Sequence, residues 1–487
     1  MLESRALNLT LDFCLRVGEM LLASGGGAAD VTATMRTLSY HLGVRHPDID
    51  VTFTSLSMTF QPSPEDPPLI QIRQVKQREI DYEDLTLVDH LVRDVLADRV
   101  DLMEARAKLA RIVSSGHKQP RWAVTLGWGV MCAGVGLQLG GTPTVIAIAF
   151  VAAVCIDRAQ VLMSRRRLPF FYQQVAGGAI ATILGAGAAG LGLVGNPSLV
   201  VSANIIMLLA GIGFMGALQD ALSGFYITGG ARLTEAMLST AGIIAGVSGG
   251  LTLAQMAGIQ VHRLNPGAYG SVKAVSMMAL GAAICAAAFA FASYAPRRII
   301  APIAVIAAAA MVISQTLSLS EAGSTWPTGL AAFFVGLVSY TVAGRMRVPP
   351  LVVVVSAVVP MLPGLSIYRG LSLLAEGQHA TSQGLLAIIT AASIAIAVSS
   401  GVILGEYVAQ PVRREAQKLE SRLAGPRLVG PLRVRTGRKA RREQQRRTRE
   451  PAAATERAAE PAASDRRQGS VGRDRAHGEP QPANSED

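Results

Sequence analysis

The chain is 487 residues long, 50% hydrophobic and only 16% charged, with a mean hydropathy of +0.36 and a formal net charge of +11. About a quarter of the residues of an average soluble protein are charged, so these values exclude an ordinary soluble globular chain. Residues 1–118 hold 13 Lys/Arg and 17 Asp/Glu, residues 411–487 hold 19 and 11, and the 292 residues between them hold only 13 and 6, so the positive total belongs mostly to the tail and does not point to nucleic acid.

In chain order, Leu11 to Leu22 reads as a helix stopped by Ser24-Gly-Gly-Gly27, and a second helix follows Asp30 with Val31, Met35, Leu38 and Leu42 on one face. Val51 to Phe60 alternates as a strand, the run PSPEDPP turns the chain, and Leu69 to Val75 returns as a second strand. Leu85 to Val113 is helical with a break near Asp101, whose side chain would cap the second part. Together these predict a small α+β cytosolic domain over residues 1–118. A Gly-rich turn ahead of a helix can hold an anion, although capping is the commoner reason for one. MLESRALNLTLDF lacks the apolar core of a signal peptide. His41, His46, His90 and His117 have no metal-ligand spacing, and Cys14, Cys132, Cys155 and Cys285 form neither a disulfide framework nor a zinc motif. No cofactor and no metal are expected.

The middle of the chain divides into apolar stretches of roughly 20 residues, the length a bilayer core requires. Ten are expected, at about 122–140, 142–157, 173–195, 197–215, 235–258, 271–293, 299–317, 326–344, 349–368 and 384–408. Positive residues stay on the cytoplasmic side. With the N-terminus inside, the inner loops hold Arg158, Arg165, Arg166, Arg167, Arg232, Arg297, Arg298, Arg345 and Arg347, against Arg263, Lys273 and Arg369 outside. Both termini are therefore expected in the cytoplasm of a multi-pass protein of the bacterial plasma membrane. Residues 411–487 are expected to be a disordered basic tail, with its arginine-rich part able to lie on anionic lipid.

The segment PSLVVSANIIMLLAGIGFMGALQDALSG (Pro197–Gly224) lines up without a gap on PLVVVVSAVVPMLPGLSIYRGLSLLAEG (Pro350–Gly377), 153 residues later. Each is the fourth span of a five-span half, over residues 119–262 and 263–410. Because five is odd, the second half must enter the membrane upside down relative to the first. Inverted repeats of this kind place a substrate site where paired, Gly/Pro-interrupted helices meet at the midplane. Pro360, Pro363 and Gly364 remove or weaken backbone hydrogen bonds within an apolar run, which lipid-facing backbone does not tolerate. The fold expected is a mainly α membrane protein of ten transmembrane helices, arranged as two inverted five-helix repeats after a small α+β cytosolic domain.

Three strings, FCLRVGEMLLASGGGAADV, GIGFMGALQDALSGFYITGGARLTEA and VPMLPGLSIYRGLSLLAEG, in this order and spacing, resemble the bacterial threonine/serine exporter family over about residues 12 to 410. Ala210 departs from that family's pattern, which has proline before the glycine matched by Gly211. The resemblance implies efflux of L-threonine and L-serine coupled to the proton motive force, with amino acid, protons and membrane lipid as partners and a homo-oligomer allowed. For a zwitterion bearing a hydroxyl, the expected binding residues are Ser202, Asn204, Gly211, Ser356, Pro363, Gly364, Ser366 and Tyr368. Polar groups there would distinguish a hydroxyl from a methyl. Asp220, Glu235, Arg369 and Glu376 are candidates for proton coupling or gating, against the plainer roles of a helix-end acid at Asp220, a surface Arg232–Glu235 pair and an Arg369–Glu376 pair. Export of another small metabolite, such as a dicarboxylate, is the nearest alternative, and a passive channel is another. The run GVSGG around Ser248 also fits an intramembrane serine protease, but the histidines of the region, His262 and His379, fall in outer loops. No enzyme activity is expected.

Overall fold

The computed structural model describes residues 2–75, 79–208, 211–259, 272–318, 325–375 and 381–423. The described residues as far as Ala416 form one compact unit. The N-terminal part of this unit runs α1 (Leu2–Ala23), α2 (Ala28–His41), β1 (Asp48–Val51), β2 (Ser55–Phe60), β3 (Leu69–Gln74), α3 (Tyr82–Leu96) and α4 (Leu102–Ser114). The strands form one antiparallel sheet in the order β1-β2-β3. Leu11, Leu15 and Leu22 of α1, Met35 and Leu38 of α2, and Leu56 and Met58 of β2 are all but fully buried and form the core. The single strand expected over 51–60 is instead a hairpin. Thr52 turns the chain by donating its backbone N–H and its hydroxyl to the Ser55 carbonyl, at 2.9 and 3.1 Å. Asp101 caps α4 by accepting the Glu104 N–H at 2.7 Å, and Asp81 caps α3 by accepting from Asp84 at 3.0 Å.

The rest of the unit is helical: α5 (Arg121–Gln138), α6 (Pro143–Arg165), α7 (Phe170–Gly190), α8 (Pro197–Leu208), α9 (Gly211–Leu222), α10 (Tyr226–Met256), α11 (Val272–Ala292), α12 (Arg297–Ser318), α13 (Thr325–Met346), α14 (Pro350–Val358), a 3-10 turn (Val359–Met361), α15 (Gly364–Ala375) and α16 (Thr381–Leu423). Among the described residues, six helices (α6, α10, α11, α12, α13 and α16) are long and apolar enough to cross a membrane. The pair α8 and α9, whose axes differ by 45°, would make a seventh span. The last helix continues past the expected boundary at residue 410, because the run REAQKLESRL is rich in strong helix formers. The remainder of the expected tail lies outside the described residues.

Helices α8 and α14 begin at Pro197 and Pro350, α9 and α15 begin at Gly211 and Gly364, and these last two end at Leu222 and Ala375. The two proline starts keep the 153-residue offset of the sequence repeat. At the second break the Gly364 N–H turns to the Leu362 carbonyl, at 2.8 Å, and no longer serves Pro360. The orphaned Pro360 carbonyl accepts instead from the Gln138 amide of α5, at 2.8 Å. A broken helix is thus stitched to its neighbour, as backbone at membrane depth requires.

Small residues set the helix crossings. A Cβ on Gly178 of α7 would stand 2.8 Å from the Ile243 carbonyl oxygen of α10, and one on Gly405 of α16 would stand 2.8 Å from the Leu337 nitrogen of α13. Helices α5 and α11 meet reciprocally: Gly134 approaches the Cys285 nitrogen and Gly281 approaches the backbone of Gln138. Backbones this close leave no room for side chains, the packing mode of membrane helices.

Candidate functional site

The N-terminal domain covers one end of the bundle, the end that carries the α9–α10, α11–α12 and α13–α14 turns. The Thr228 hydroxyl donates to the Val51 carbonyl (3.0 Å), the Tyr82 N–H donates to the Ser293 carbonyl (2.9 Å), and His90 Nε2 lies 2.7 Å from the Arg347 carbonyl oxygen. The Tyr82 ring is almost wholly buried and meets Phe289 of α11 edge to face, with 6.3 Å between centroids. His117 stacks on Tyr294 at 3.9 Å and lies 3.3 Å from Asp81.

A further contact, between buried groups, involves the Gly-rich turn. Gly27 has no side chain with which to cap α2, and Asp220, 192 residues away on α9, supplies the missing acceptor at 2.8 Å from the Ala28 N–H. Arg232 of α10 closes the arrangement, with Nη1 3.1 Å from the Asp220 carboxylate and Nη2 donating to the Gly26 carbonyl at 2.9 Å. Both side chains are buried, 1% and 7% exposed. A carboxylate at a helix N-terminus also meets the positive end of the helix dipole. Asp30, in the same first turn of α2, has its carboxyl raised above the ordinary range by burial and then by the Asp220 charge.

Between this domain and the bundle lies a cavity of about 900 Å³. It extends from the turn of Gly25 and Gly27 to both helix breaks, reaching Leu208 and Gly213 on one side and Val359 and Leu362 on the other. Its deep wall is apolar, with Ile206, Met207, Val355 and Phe289. Its outer wall is polar and mixed in sign, with Arg121, Arg165 and Arg232 set against Glu79, Asp157 and Glu235, and with the amides of Gln160, Gln173, Gln174 and Gln219 between them. Asp157 is held by Arg121 and by the Thr125 hydroxyl, both at 2.7 Å. This polar lining can take up the two charges of a small zwitterion while the apolar end receives carbon.

Among the described residues, the one binding, coupling or gating candidate from sequence that lines this cavity is Glu235. Arg232, expected beside Glu235 on a surface, is buried and reaches Asp220 and Gly26. Asp220 is an element of the domain contact and not an open mouth. Ser202, Asn204 and Ser356 are fully buried within their helices. The Asn204 amide donates to the Val200 carbonyl (2.9 Å) and the Ser356 hydroxyl to that of Val352 (2.7 Å), the local bonds open to such side chains in a helix. Ser202 Oγ and Asn204 Oδ1 have no partner among the described residues. Gly364 packs on Ile206 of α8, so the two broken helices touch at that point, beside the Ser202 carbonyl. Pro363 is buried at the same break. Ser366 is half-buried and Arg369 exposed on α15, the backbone of Gly211 opens α9, and that of Tyr368 lies in α15. Glu376 lies outside the described residues, as do His262 and His379. Ser248 sits inside the unbroken helix α10, not on a strand–turn–helix elbow. Among the described residues no group of His, Cys, Asp and Glu is arranged to hold a metal ion.

The comparisons with known proteins follow the same outline. Two family models match, one of a threonine/serine exporter over residues 12–254 and one described as "Threonine/Serine exporter, ThrE" over residues 278–408. The chain is 32% identical over 423 residues to a "Probable threonine/serine exporter" of Mycobacterium tuberculosis, covering 85% of this chain and 80% of that one. It is 30% identical over 411 residues to a "Threonine/serine exporter" of Corynebacterium glutamicum, covering 83% of each. Over 243 residues, 49% of this chain and 93% of the other, it is 25% identical to a "Probable succinate transporter subunit YjjP" of Escherichia coli. No solved structure matches.

Proposed function

The chain belongs to the threonine/serine exporter family, and from that membership we propose that it exports L-threonine and L-serine across the bacterial plasma membrane as a secondary active transporter driven by protons. On this reading it has ten spans: α5, α6, α7, the pair α8/α9 and α10 in the first half, and α11, α12, α13, the pair α14/α15 and α16 in the second. The halves are inverted repeats, each with a broken fourth span. Support comes from the 153-residue offset shared by the helix starts at Pro197 and Pro350, from the reciprocal α5–α11 contact, and from glycine-mediated crossings of third on fifth helix in both halves. The N-terminal domain lies in the cytoplasm and covers the inner mouth.

The observation that carries the substrate reading is the cavity. A dicarboxylate site would present an excess of cations, whereas this wall holds Arg121, Arg165 and Arg232 against as many acids, the balance a zwitterion needs. The relative named a succinate transporter subunit, which matches half of this chain, favours a dicarboxylate as the second reading. Proteoliposomes loaded with labelled threonine, serine, succinate or alanine and given a proton gradient separate the two. Gradient-dependent efflux of threonine and serine is expected. Efflux of succinate without threonine overturns the substrate, and efflux that ignores the gradient makes the protein a channel.

A further inference from the structure

Besides Arg232, whose Nε has no partner among the described residues, one side chain of the cavity wall is left unsatisfied by the protein itself. Gln174 lies in the first turns of α7, is 3% exposed, and borders the cavity. Its Oε1 accepts no hydrogen bond among the described residues. Its stem is fixed from behind by α10, where a Cβ on Gly242 would come within 3.0 Å of the Gln174 Cβ. The neighbouring acid of the wall, Asp157, is by contrast fully engaged with Arg121 and Thr125.

Buried polar groups in native structures have partners, and one left without them points to a ligand that supplies them. The chemistry of an amide narrows the ligand group. A primary amide is both donor and acceptor, so its natural complement is a group that is both as well. An ammonium only donates and a carboxylate only accepts, and the charged members of the wall suit those two. A hydroxyl does both: its O–H donates to Oε1 while its oxygen accepts from Nε2.

We propose that Gln174 reads the side-chain hydroxyl of the transported amino acid and thereby sets the preference for threonine over its isostere valine. This rests on the amino-acid reading of the cavity given above. A site that hydrogen-bonds a hydroxyl rejects the analogue lacking it because its own polar atoms are then left unpaired, whereas an apolar pocket discriminates weakly between the two.

The test uses the full-length protein in proteoliposomes, with labelled threonine and labelled valine measured at several concentrations for the wild type, Gln174→Leu and Gln174→Glu. The wild type is expected to favour threonine by at least about tenfold in transport efficiency. In Gln174→Leu that ratio should fall toward one, through a loss of threonine transport with valine transport kept or raised. Retained valine transport shows that the variant is folded. Gln174→Glu, which keeps an acceptor oxygen at the same reach, should retain a preference for threonine, and it carries the test if the leucine variant does not accumulate. An unchanged threonine-to-valine ratio in Gln174→Leu, or the loss of that ratio in both variants alike, overturns the assignment while leaving threonine export standing. A wild type that moves neither amino acid overturns the amino-acid reading, and the role of Gln174 with it.

Discussion

The contact of Asp220 and Arg232 with the Gly-rich turn makes the firmest quantitative prediction. Arg232→Met keeps the stem and removes the guanidinium. It takes the counter-charge from a carboxylate that is 1% exposed and the donor from the Gly26 carbonyl. Breaking a buried pair from one side costs about 3–5 kcal/mol, because the remaining charge stays buried without compensation. At about 1.4 kcal/mol per tenfold, docking of the N-terminal domain should weaken by roughly two to four decades. Asp220→Asn keeps an oxygen for the Ala28 N–H and removes the charge, so the double variant Asp220→Asn/Arg232→Met buries no unpaired ion. It should cost less than the sum of the two single changes. The assay is amide hydrogen exchange in nanodiscs over the first turn of α2, whose N–H groups the contact protects. Arg232→Met should bring that turn to fast exchange, and the double variant should restore part of the protection. If the two changes add within about 0.5 kcal/mol, or if α2 exchanges at the wild-type rate in Arg232→Met, the pair is not what holds the domain down.

Three further outcomes are expected. Gln138→Leu strands the Pro360 carbonyl at the helix break, and the cost of about 1–3 kcal/mol should appear as a lower Tm in detergent, where no change would mean that another donor serves the carbonyl. Ser248→Ala should leave transport intact, whereas Gly246→Leu drives a side chain into the Val175 carbonyl of α7 and should abolish accumulation of folded protein; a proteolytic activity lost with Ser248 would reverse the reading of α10. The Asp84 carboxyl is pushed up to about 6 by burial first and the Asp81 charge next, against the nearby His117. The folded state therefore binds more protons than the unfolded one between its ordinary value of 3.8 and about 6, so stability falls as pH rises through that window. Asp84→Asn should flatten that part of a Tm-against-pH curve, and an unchanged slope would place the titration elsewhere.

What the sequence made legible was local or periodic. Apolar length marked the helices, Pro363-Gly364 marked a break, and Asp101 announced its own cap, because each signal is carried within a few residues. The hairpin at Thr52 escaped because β1 and β2 share one alternating pattern, and only a hydroxyl bonding to Ser55 decides that the chain turns there. The candidate polar residues of the broken spans were chosen by type. In a helix such side chains have a carbonyl one turn back to bond, as Asn204 and Ser356 do, and no feature of the sequence reveals that choice. Gln173-Gln174, two amides at the head of an otherwise apolar helix, is a signal present in the sequence itself. The Asp220–Ala28 bond spans 192 residues and the Arg232–Gly26 bond 206, beyond the reach of any spacing rule.

Two of the strings that carry the family resemblance, the one around Gly25 to Asp30 and the one from Gly211 to Glu235, prove to be the two sides of a single contact. This bears on direction. In the proposed inverted arrangement the two halves are alike, and a symmetric pair of broken helices favours neither side of the membrane. The positions that match Asp220 and Arg232 in the second half, 153 residues on, are Leu373 and Leu385, which can form no such ion pair. The ion-pair contact with the Gly-rich turn therefore belongs to the first half alone, and it lies beside the cavity that leads to both breaks. A state in which the domain is docked gains those bonds and a state that opens this end gives them up, so the contact biases the alternation of an otherwise even pair. The proteoliposomes that test transport can test this as well: Asp220→Ala, at a residue of the contact outside the cavity lining, should speed exchange of threonine through the domain-covered end more than it changes the affinity for threonine, and an equal effect at both ends would leave the bias without a source.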